Sequence, residues 1–355
     1  DAIVFSPHPN ARNCILETVK VIRQSIAEAG GNEDLVSCIT LPTLQATDHL
    51  MRHPDISMIL ATGGSAMVRA AYSSGTPAIG VGPGNGPAYI EKTADLPLAV
   101  KRIMDSKTFD NGTICASEQS VICDTNMAPA VQEEMERQGA YFLSEEQCKK
   151  LGAFILRPNG TMNPVIVGKD ANLIAELADI KIPEGTKVLV SREDGIGPGH
   201  PYSNEKLAPI LAFYTGESYR EVCGLCQEIL HYEGAGHTFS MHTKDQKMVD
   251  YFANRIPASR IIVNSPSALG GIGGTTGLMP SLTLGCGAIG GSATSDNVGP
   301  MNLLNTRYVA EGILEIEDVK ANLPDCSEGV CKPQSNVDIN LDAIVKEIIK
   351  RLRSA

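Results

Sequence analysis

No apolar run in these 355 residues approaches the roughly 18 that a membrane span requires, and no secretory leader opens the chain. Neither a membrane-spanning nor a signal-targeted protein is expected. Positive charge is also short: 30 Lys and Arg stand against 41 Asp and Glu, a net −11. Nucleic acid normally demands a basic face, so it is not an expected partner, although turns and helix ends can still supply donors to a small anion. The ten cysteines lack the setting of a disulfide scaffold, which is a short secreted chain with a weak core. Reduced thiols in a cytoplasmic compartment are the expectation. Cys223 and Cys226 form the only Cys-x-x-Cys, in a helical pattern with no second pair or His at ligand spacing, so no metal site is expected. Internal repeats are missing as well.

What is present suits an enzyme of two or three domains. Hydrophobic residues make up 43% and charged ones 20%, ordinary values for a globular fold with ample core. Short apolar runs at residues 2–5, 36–39, 56–61 and 78–81 alternate with helical patterns at 10–29, 44–51 and 66–73, which predicts an open parallel α/β sheet. Further helices are expected near 98–104, 127–138, 145–154, 171–178, 219–231 and 246–253. Strands are expected near 187–190, 210–214, 238–241 and 261–264. Residues 270–277, rich in Gly and Thr, read as a mobile loop.

The most informative stretch is Lys107-Thr-Phe-Asp-Asn-Gly-Thr-Ile-Cys-Ala-Ser-Glu-Gln-Ser120. Cys115 is framed there by small and polar residues after an Asp-Asn-Gly turn. A thiolate stabilised by turn N–H groups, with small neighbours that admit a carbonyl, is a nucleophile. The competing reading is a small buried hydrophobe, the common fate of a lone cysteine. Gly63-Gly64-Ser65 closes one apolar run and opens a helix, a geometry that either binds a phosphate or ribose or merely turns a corner.

Taken with Ile59 to Pro87 and with Pro280-Ser-Leu-Thr-Leu-Gly-Cys-Gly-Ala-Ile-Gly-Gly-Ser-Ala-Thr-Ser-Asp-Asn-Val-Gly-Pro300, this stretch resembles the coenzyme-A-acylating branch of the aldehyde dehydrogenase superfamily, from about residue 2 to about 318. The resemblance implies a Rossmann-type nucleotide-binding domain at 1–86, its N-terminal part absent, and an α/β catalytic domain at 87–302. A strand that joins subunits into a dimer or tetramer is implied at 303–318. It implies Cys115 as nucleophile, with NAD and coenzyme A as cofactors. Ser6, Pro7, His8 and Pro9 would lie beside an adenosine, Gly63, Gly64, Ser65 and Gly82 along the cofactor, and Glu205 on the nicotinamide ribose; Glu205 as a surface carboxylate is the alternative. His237 would assist the coenzyme A thiol or serve as a structural histidine, and Thr113, Ile114, Ala116 and Pro266 would line a pocket for a short aldehyde.

Two departures bear on the chemistry. Hydrolytic members of the superfamily carry a water-activating glutamate where this chain has Gly80-Val-Gly-Pro-Gly-Asn-Gly-Pro87, so acyl transfer to another thiol is expected over hydrolysis. In the family, an Asn preceding the residues present here helps form the oxyanion hole. Beyond 318, a polar linker at 319–337 leads to residues 338–355, where Leu341, Ile344, Val345, Ile348, Ile349 and Leu352 recur at helical spacing. That tail either packs on the enzyme or resembles the encapsulation peptides that dock enzymes to the shell proteins of bacterial microcompartments. The expected activity is reversible, NAD-dependent oxidation of acetaldehyde or propionaldehyde to acyl-CoA. Its rivals are a hydrolytic aldehyde dehydrogenase, an inactive fragment that binds nucleotide or shell, and the aldehyde half of a bifunctional aldehyde-alcohol enzyme.

Overall fold

The computed structural model describes residues 1–157 and 160–321 and divides the chain into two units, Asp1–Leu303 and Leu304–Ala355. The expected tail helix at 338–355 and most of the linker lie outside the described residues.

The first unit begins with two separate strand pairs. β1 (Ile3–Phe5) leads through α1 (Arg12–Glu28) to β2 (Val36–Cys38), which lies parallel to it with Ile3 opposite Val36. After α2 (Leu44–Met51), capped by Thr43 Oγ1 accepting the Ala46 N–H at 3.0 Å, β3 (Ile59–Thr62), α3 (Ser65–Tyr72) and β4 (Ala78–Val81) repeat the arrangement. Each pair is a right-length βαβ unit. The segment before β5 thus holds two two-stranded sheets among the described residues, where the alternation of runs predicts one.

The second part is a seven-stranded parallel sheet. In chain order its elements are β5 (Gly86–Ile90), α4 (Leu96–Thr108), β6 (Glu118–Asp124), α5 (Ala128–Arg137), β7 (Ala140–Phe142), α6 (Glu145–Ile155), α7 (Ala171–Leu177), β8 (Val188–Arg192), β9 (Ile210–Gly216), α8 (Tyr219–Tyr232), β10 (Gly236–His242), α9 (Gln246–Ala253), β11 (Ala258–Val263) and α10 (Ser267–Gly271). The strand order is β11-β10-β5-β6-β9-β8-β7. Start signals explain the helices: Asp95 caps α4, Ser144 and Gln147 form a reciprocal capping box on α6, and Ser218 caps α8.

Alternation along the strands sorts side chains to two apolar layers. Tyr89, Ile122 and Met241 face α6, α8 and α9, while Ala88, Val121 and Val190 face α4 and α5. Phe252 of α9 stacks on Tyr89 and Phe239 with ring centroids 5.1 and 5.6 Å away. Cys223 and Cys226 share the buried face of α8 and pack in the same layer.

Residues 270–277 are tied down rather than loose. Gly270 and Gly271 end α10 inside the core, and Thr276 Oγ1 and the Gly274 N–H bond the carbonyls of Gly270 and Leu269, each at 2.7 Å. In the second unit, α11 (Ile316–Ala321) occupies part of the segment expected to join subunits. No strand forms there among the described residues, and Tyr308, Val309 and Ile313 are 89–96% exposed.

Candidate active site

The turn that presents Cys115 is built from left-handed backbone. Asp110, Asn111 and Gly112 have φ of 47°, 49° and 73°, a region that Asp and Asn tolerate and Gly enters freely. Asn111 Nδ2 donates to the Gly168 carbonyl at 2.9 Å, and a Cβ on Gly112 would meet the Ala208 carbonyl oxygen at 2.8 Å. A second turn, closed by the Ser117 N–H to Ile114 carbonyl bond at 2.8 Å, leads into β6. Cys115 is a central residue of this second turn and is partly exposed.

The glycine segment 80–86 passes directly against it. A Cβ on Gly84 would stand 1.9 Å from the Cys115 carbonyl oxygen, so only glycine fits. Gly84 also donates its N–H to Glu205 Oε1 at 2.8 Å, which joins two residues expected at the site. Burial raises the Cys286 thiol, and the backbone of Gly82 opposes that rise. Gly80 has a different reason: the Tyr72 ring fills the space its side chain would take, and the Tyr72 hydroxyl accepts the Gly80 N–H at 2.9 Å.

The electrostatics are those of a nearly enclosed polar pocket. Burial pushes the Cys115 thiol up to about 12, with Glu205 and Cys286 adding to the rise and Arg260 opposing it. Arg260 of β11 is buried and fans out to the carbonyls of His237 and Gly285 at 2.9 and 2.7 Å. Burial likewise raises Glu205 to about 8, an effect the Gly84 N–H opposes. His237 is fully buried on β10; burial and then Arg260 hold its imidazole down at about 3, hence neutral. Its Nδ1 pairs with Thr238 Oγ1 at 2.9 Å, and its Nε2 has no partner among the described residues. Gly236, beside it, has φ 79° and lies where a Cβ would meet the Cys286 carbonyl oxygen at 1.8 Å.

Not every expected pocket residue reaches a surface. Thr113 and Ile114 are partly exposed, Thr113 being held by its hydroxyl to the Asp110 carbonyl at 3.0 Å, and Pro266 is partly exposed as the residue before α10. Ala116 is fully buried against Gly271, because the tight turn it shares with Cys115 sends it inward. Ser6, His8 and Pro9 are exposed after β1, but Pro7 is buried in the strand-to-helix turn and offers no surface. Ser6 Oγ and Thr47 Oγ1 lie 2.8 Å apart, and His8 Nδ1 accepts the Asn10 N–H. Gly63, Gly64 and Ser65 are exposed at the start of α3, where no side chain caps the helix. Both segments follow the carboxyl ends of parallel strands, where open α/β sheets bind ligands. An exposed, uncapped helix start there, and Glu205 tied to the glycine beside the thiol, are features a dinucleotide would use.

The pattern of residues had not singled out Arg260, Cys286, Lys107 or Gln119. A faint signal exists for two of them. Arg260 interrupts the apolar strand 258–263, and Lys107 falls on the stripe that Val100, Ile103 and Met104 bury in α4.

Residues 2–277 match the model of the aldehyde dehydrogenase family. The chain is 43% identical over 316 residues to the bifunctional aldehyde-alcohol dehydrogenase AdhE of Escherichia coli K12, an alignment covering 88% of this chain and 35% of that protein. It thus spans about a third of the length of such relatives. Among solved structures, a probable aldehyde dehydrogenase from Listeria monocytogenes EGD-e superposes with a TM-score of 0.88 at 59% identity, covering 90% of this chain and 70% of that one. An acetylating aldehyde dehydrogenase from Geobacillus thermoglucosidasius gives 0.87 at 48% identity, with 89% and 70% covered. A propionaldehyde dehydrogenase from a fucose-utilisation bacterial microcompartment of Clostridium phytofermentans gives 0.77 at 29%, with 83% and 67% covered. Together with the parallel α/β fold and the thiol presented in a tight turn, the match over residues 2–277 places this chain in the aldehyde dehydrogenase family.

Proposed function

We propose that this chain carries the catalytic part of a coenzyme-A-acylating aldehyde dehydrogenase, which converts a short aliphatic aldehyde such as acetaldehyde or propionaldehyde to acyl-CoA with NAD, reversibly. The observation that carries the reading is the contact of Gly84 with Cys115: the segment nearest the thiol is glycine backbone and has no carboxylate of its own to activate water. Similarity to an acetylating enzyme supports the same choice.

In this reading Cys115 attacks the aldehyde carbon through sulfur, giving a hemithioacetal, and the thiol proton leaves as the C–S bond forms. Because burial holds the thiol protonated, the attack needs Arg260 and a local base to stabilise the thiolate. Bound NAD supplies the hydride acceptor. Glu205 fixes the cofactor ribose, with Gly63, Gly64, Ser65 and Gly82 along the rest of it and Ser6, His8 and Pro9 at the adenosine end. The thioester then left on Cys115 is attacked by the coenzyme A thiol, and the sulfur of Cys115 departs with the electrons of the broken bond. His237, whose Nε2 has no partner among the described residues, is assigned the coenzyme A thiol: it would orient that group, and it could take the thiol's proton only if bound substrate raised its basicity from the low value that burial sets.

An oligomer is proposed on the exposed apolar side chains of Tyr308, Val309 and Ile313. Location in a bacterial microcompartment is proposed on likeness to the Clostridium enzyme.

The test is NADH formation from propionaldehyde and NAD, with and without coenzyme A, on this chain and on Cys115→Ala. Turnover that needs coenzyme A, yields propionyl-CoA and falls by on the order of 10⁴ in the variant is expected. Equal NADH with free propionate in the absence of coenzyme A would establish the hydrolytic reading instead. Cofactor binding without turnover would favour a stretch that binds nucleotide and is inactive alone.

A further inference from the structure

Beneath the site lies a lysine that the chemistry above does not use. Lys107, in the last turn of α4, is fully buried, and an enclosed ammonium is costly unless its surroundings compensate it. Its Nζ makes one hydrogen bond among the described residues, to Gln119 Oε1 at 3.3 Å. That same oxygen accepts the backbone N–H of Lys206 at 3.2 Å. Lys206 in turn folds its own Nζ back onto the carbonyls of Tyr202 and Asn204, at 2.6 and 2.7 Å. One amide oxygen therefore joins the cation of α4 to the peptide immediately after Glu205.

The charges around this point are few. Glu205 is faced by Glu233 at the end of α8, whose Oε2 accepts the Glu205 N–H at 2.6 Å, and by Lys107, Lys206 and the thiols Cys115 and Cys286. Lys107 is faced by Glu205, Lys206 and Glu118 of β6. Each carboxylate accepts one backbone N–H, Glu118 Oε1 from Ser267 at 3.0 Å and Glu205 Oε1 from Gly84 at 2.8 Å, and Glu118 is the stronger electrostatic partner of Lys107. Glu205 differs in having a neighbouring anion, Glu233, that opposes its charge.

We propose that Lys107 is a positioning residue for the cofactor step, which acts through Gln119 and through its charge to keep the Glu205 carboxylate ionised and correctly aimed at a ribose diol. The inference rests on reading Glu205 as the ribose-binding group. An ionised carboxylate accepts hydrogen bonds at both oxygens, whereas a protonated one uses a site as donor and holds a diol less well. Burial drives Glu205 toward the protonated form and Glu233 adds to it; Lys107 and Lys206 pull the other way when protonated, and because burial lowers Lys206 well below its ordinary value but Lys107 only to about 7, Lys107 is the one that carries charge near neutral pH. Lys206 also spends its Nζ on two carbonyls, which leaves Lys107 as the cation with donors to spare.

The carboxyl C=O band in pH-resolved infrared difference spectra, assigned by its loss in Glu205→Gln, reads the protonation of Glu205 without any cofactor. In Lys107→Met its midpoint should rise by about one pH unit or more. Gln119→Glu, nearly the same size as the native residue, sets an anion between the two lysines and should raise the midpoint as well. That variant carries the test if Lys107→Met does not fold. In turnover, Lys107→Met should raise the KM for NAD about tenfold near neutral pH, with kcat little changed and the gap closing as pH rises. Lys107→Arg should restore much of the loss. An unchanged infrared midpoint in both folded variants overturns the proposal. If Glu205→Gln leaves the KM for NAD untouched, the ribose reading falls instead, while the midpoint still reports whether Lys107 controls the carboxylate.

Discussion

The two halves of the first unit use the same local grammar, parallel strands alternating with helices, and end in opposite states. In the seven-stranded sheet every residue of β5 and β10 is buried. In the strand pairs before it, all three residues of β1 are exposed, and Leu60 of β3 is 44% exposed. The difference extends to charge. Lys107, Glu118, Lys206 and Arg260 are all buried, and all belong to the seven-stranded part. Apolar patterning alone makes strands, but only a sheet covered on both faces can hold charges out of water and shift them, and that is where reactive groups are tuned.

Truncating the core should show the contrast most strongly. Phe252→Ala removes a ring stacked on both Tyr89 and Phe239 in a fully buried site, and should cost about 3–5 kcal/mol in chemical denaturation. Phe5→Ala, at 38% exposure in β1, should cost under about 1 kcal/mol. Equal losses would mean that the first strand pair is held more tightly than its exposure indicates.

Glycines offer a second comparison. Gly84→Ala forces a Cβ to within 1.9 Å of the Cys115 carbonyl oxygen, so the turn must move. About 1–3 kcal/mol of stability and most of the thiol's reactivity toward the aldehyde should be lost together. Gly64→Ala meets nothing within 4 Å and has φ −62°, so stability should change by about 1 kcal/mol or less. Any effect there should appear in cofactor affinity alone.

Legibility in the sequence divides along the same line. The helix at 44–51 and the strand at 78–81 stand where their patterns placed them, because caps and apolar runs are local. β5 escaped notice since Gly86 and Pro87 read as turn residues; the sheet accommodates them with a register shift between the two, next to the proline that cannot donate. β7, of three residues, is too short to show a period. At the site, Cys115 and Glu205 could be picked out by motif. Their connection through Gly84, and the cations Lys107 and Arg260 around them, could not, because such groupings come from residues up to about 150 positions apart that only burial brings together.

The smallest expected effect concerns β10 and sharpens the comparison by pH. His242 is fully buried with neither ring nitrogen hydrogen-bonded among the described residues, and burial, reinforced by Arg102, lowers it from the ordinary 6.5 to about 4. The fold therefore favours the neutral ring, while the unfolded chain takes up a proton as soon as pH falls below 6.5. More protons bound in the unfolded state means that stability falls with falling pH through the window from about 6.5 to about 4, and is unaffected by this residue above it. His237, lowered to about 3, adds a loss of the same sign that continues further into acid. His242→Leu removes one of the two titrations, so its stability at pH 5 relative to pH 8 should exceed the wild type's by on the order of 1–2 kcal/mol in urea titrations. The acid limb of the stability profile should flatten accordingly. If His242→Leu fails to flatten that limb, the buried sheet does not hold this ring neutral, and its acid sensitivity must come from the carboxylates instead.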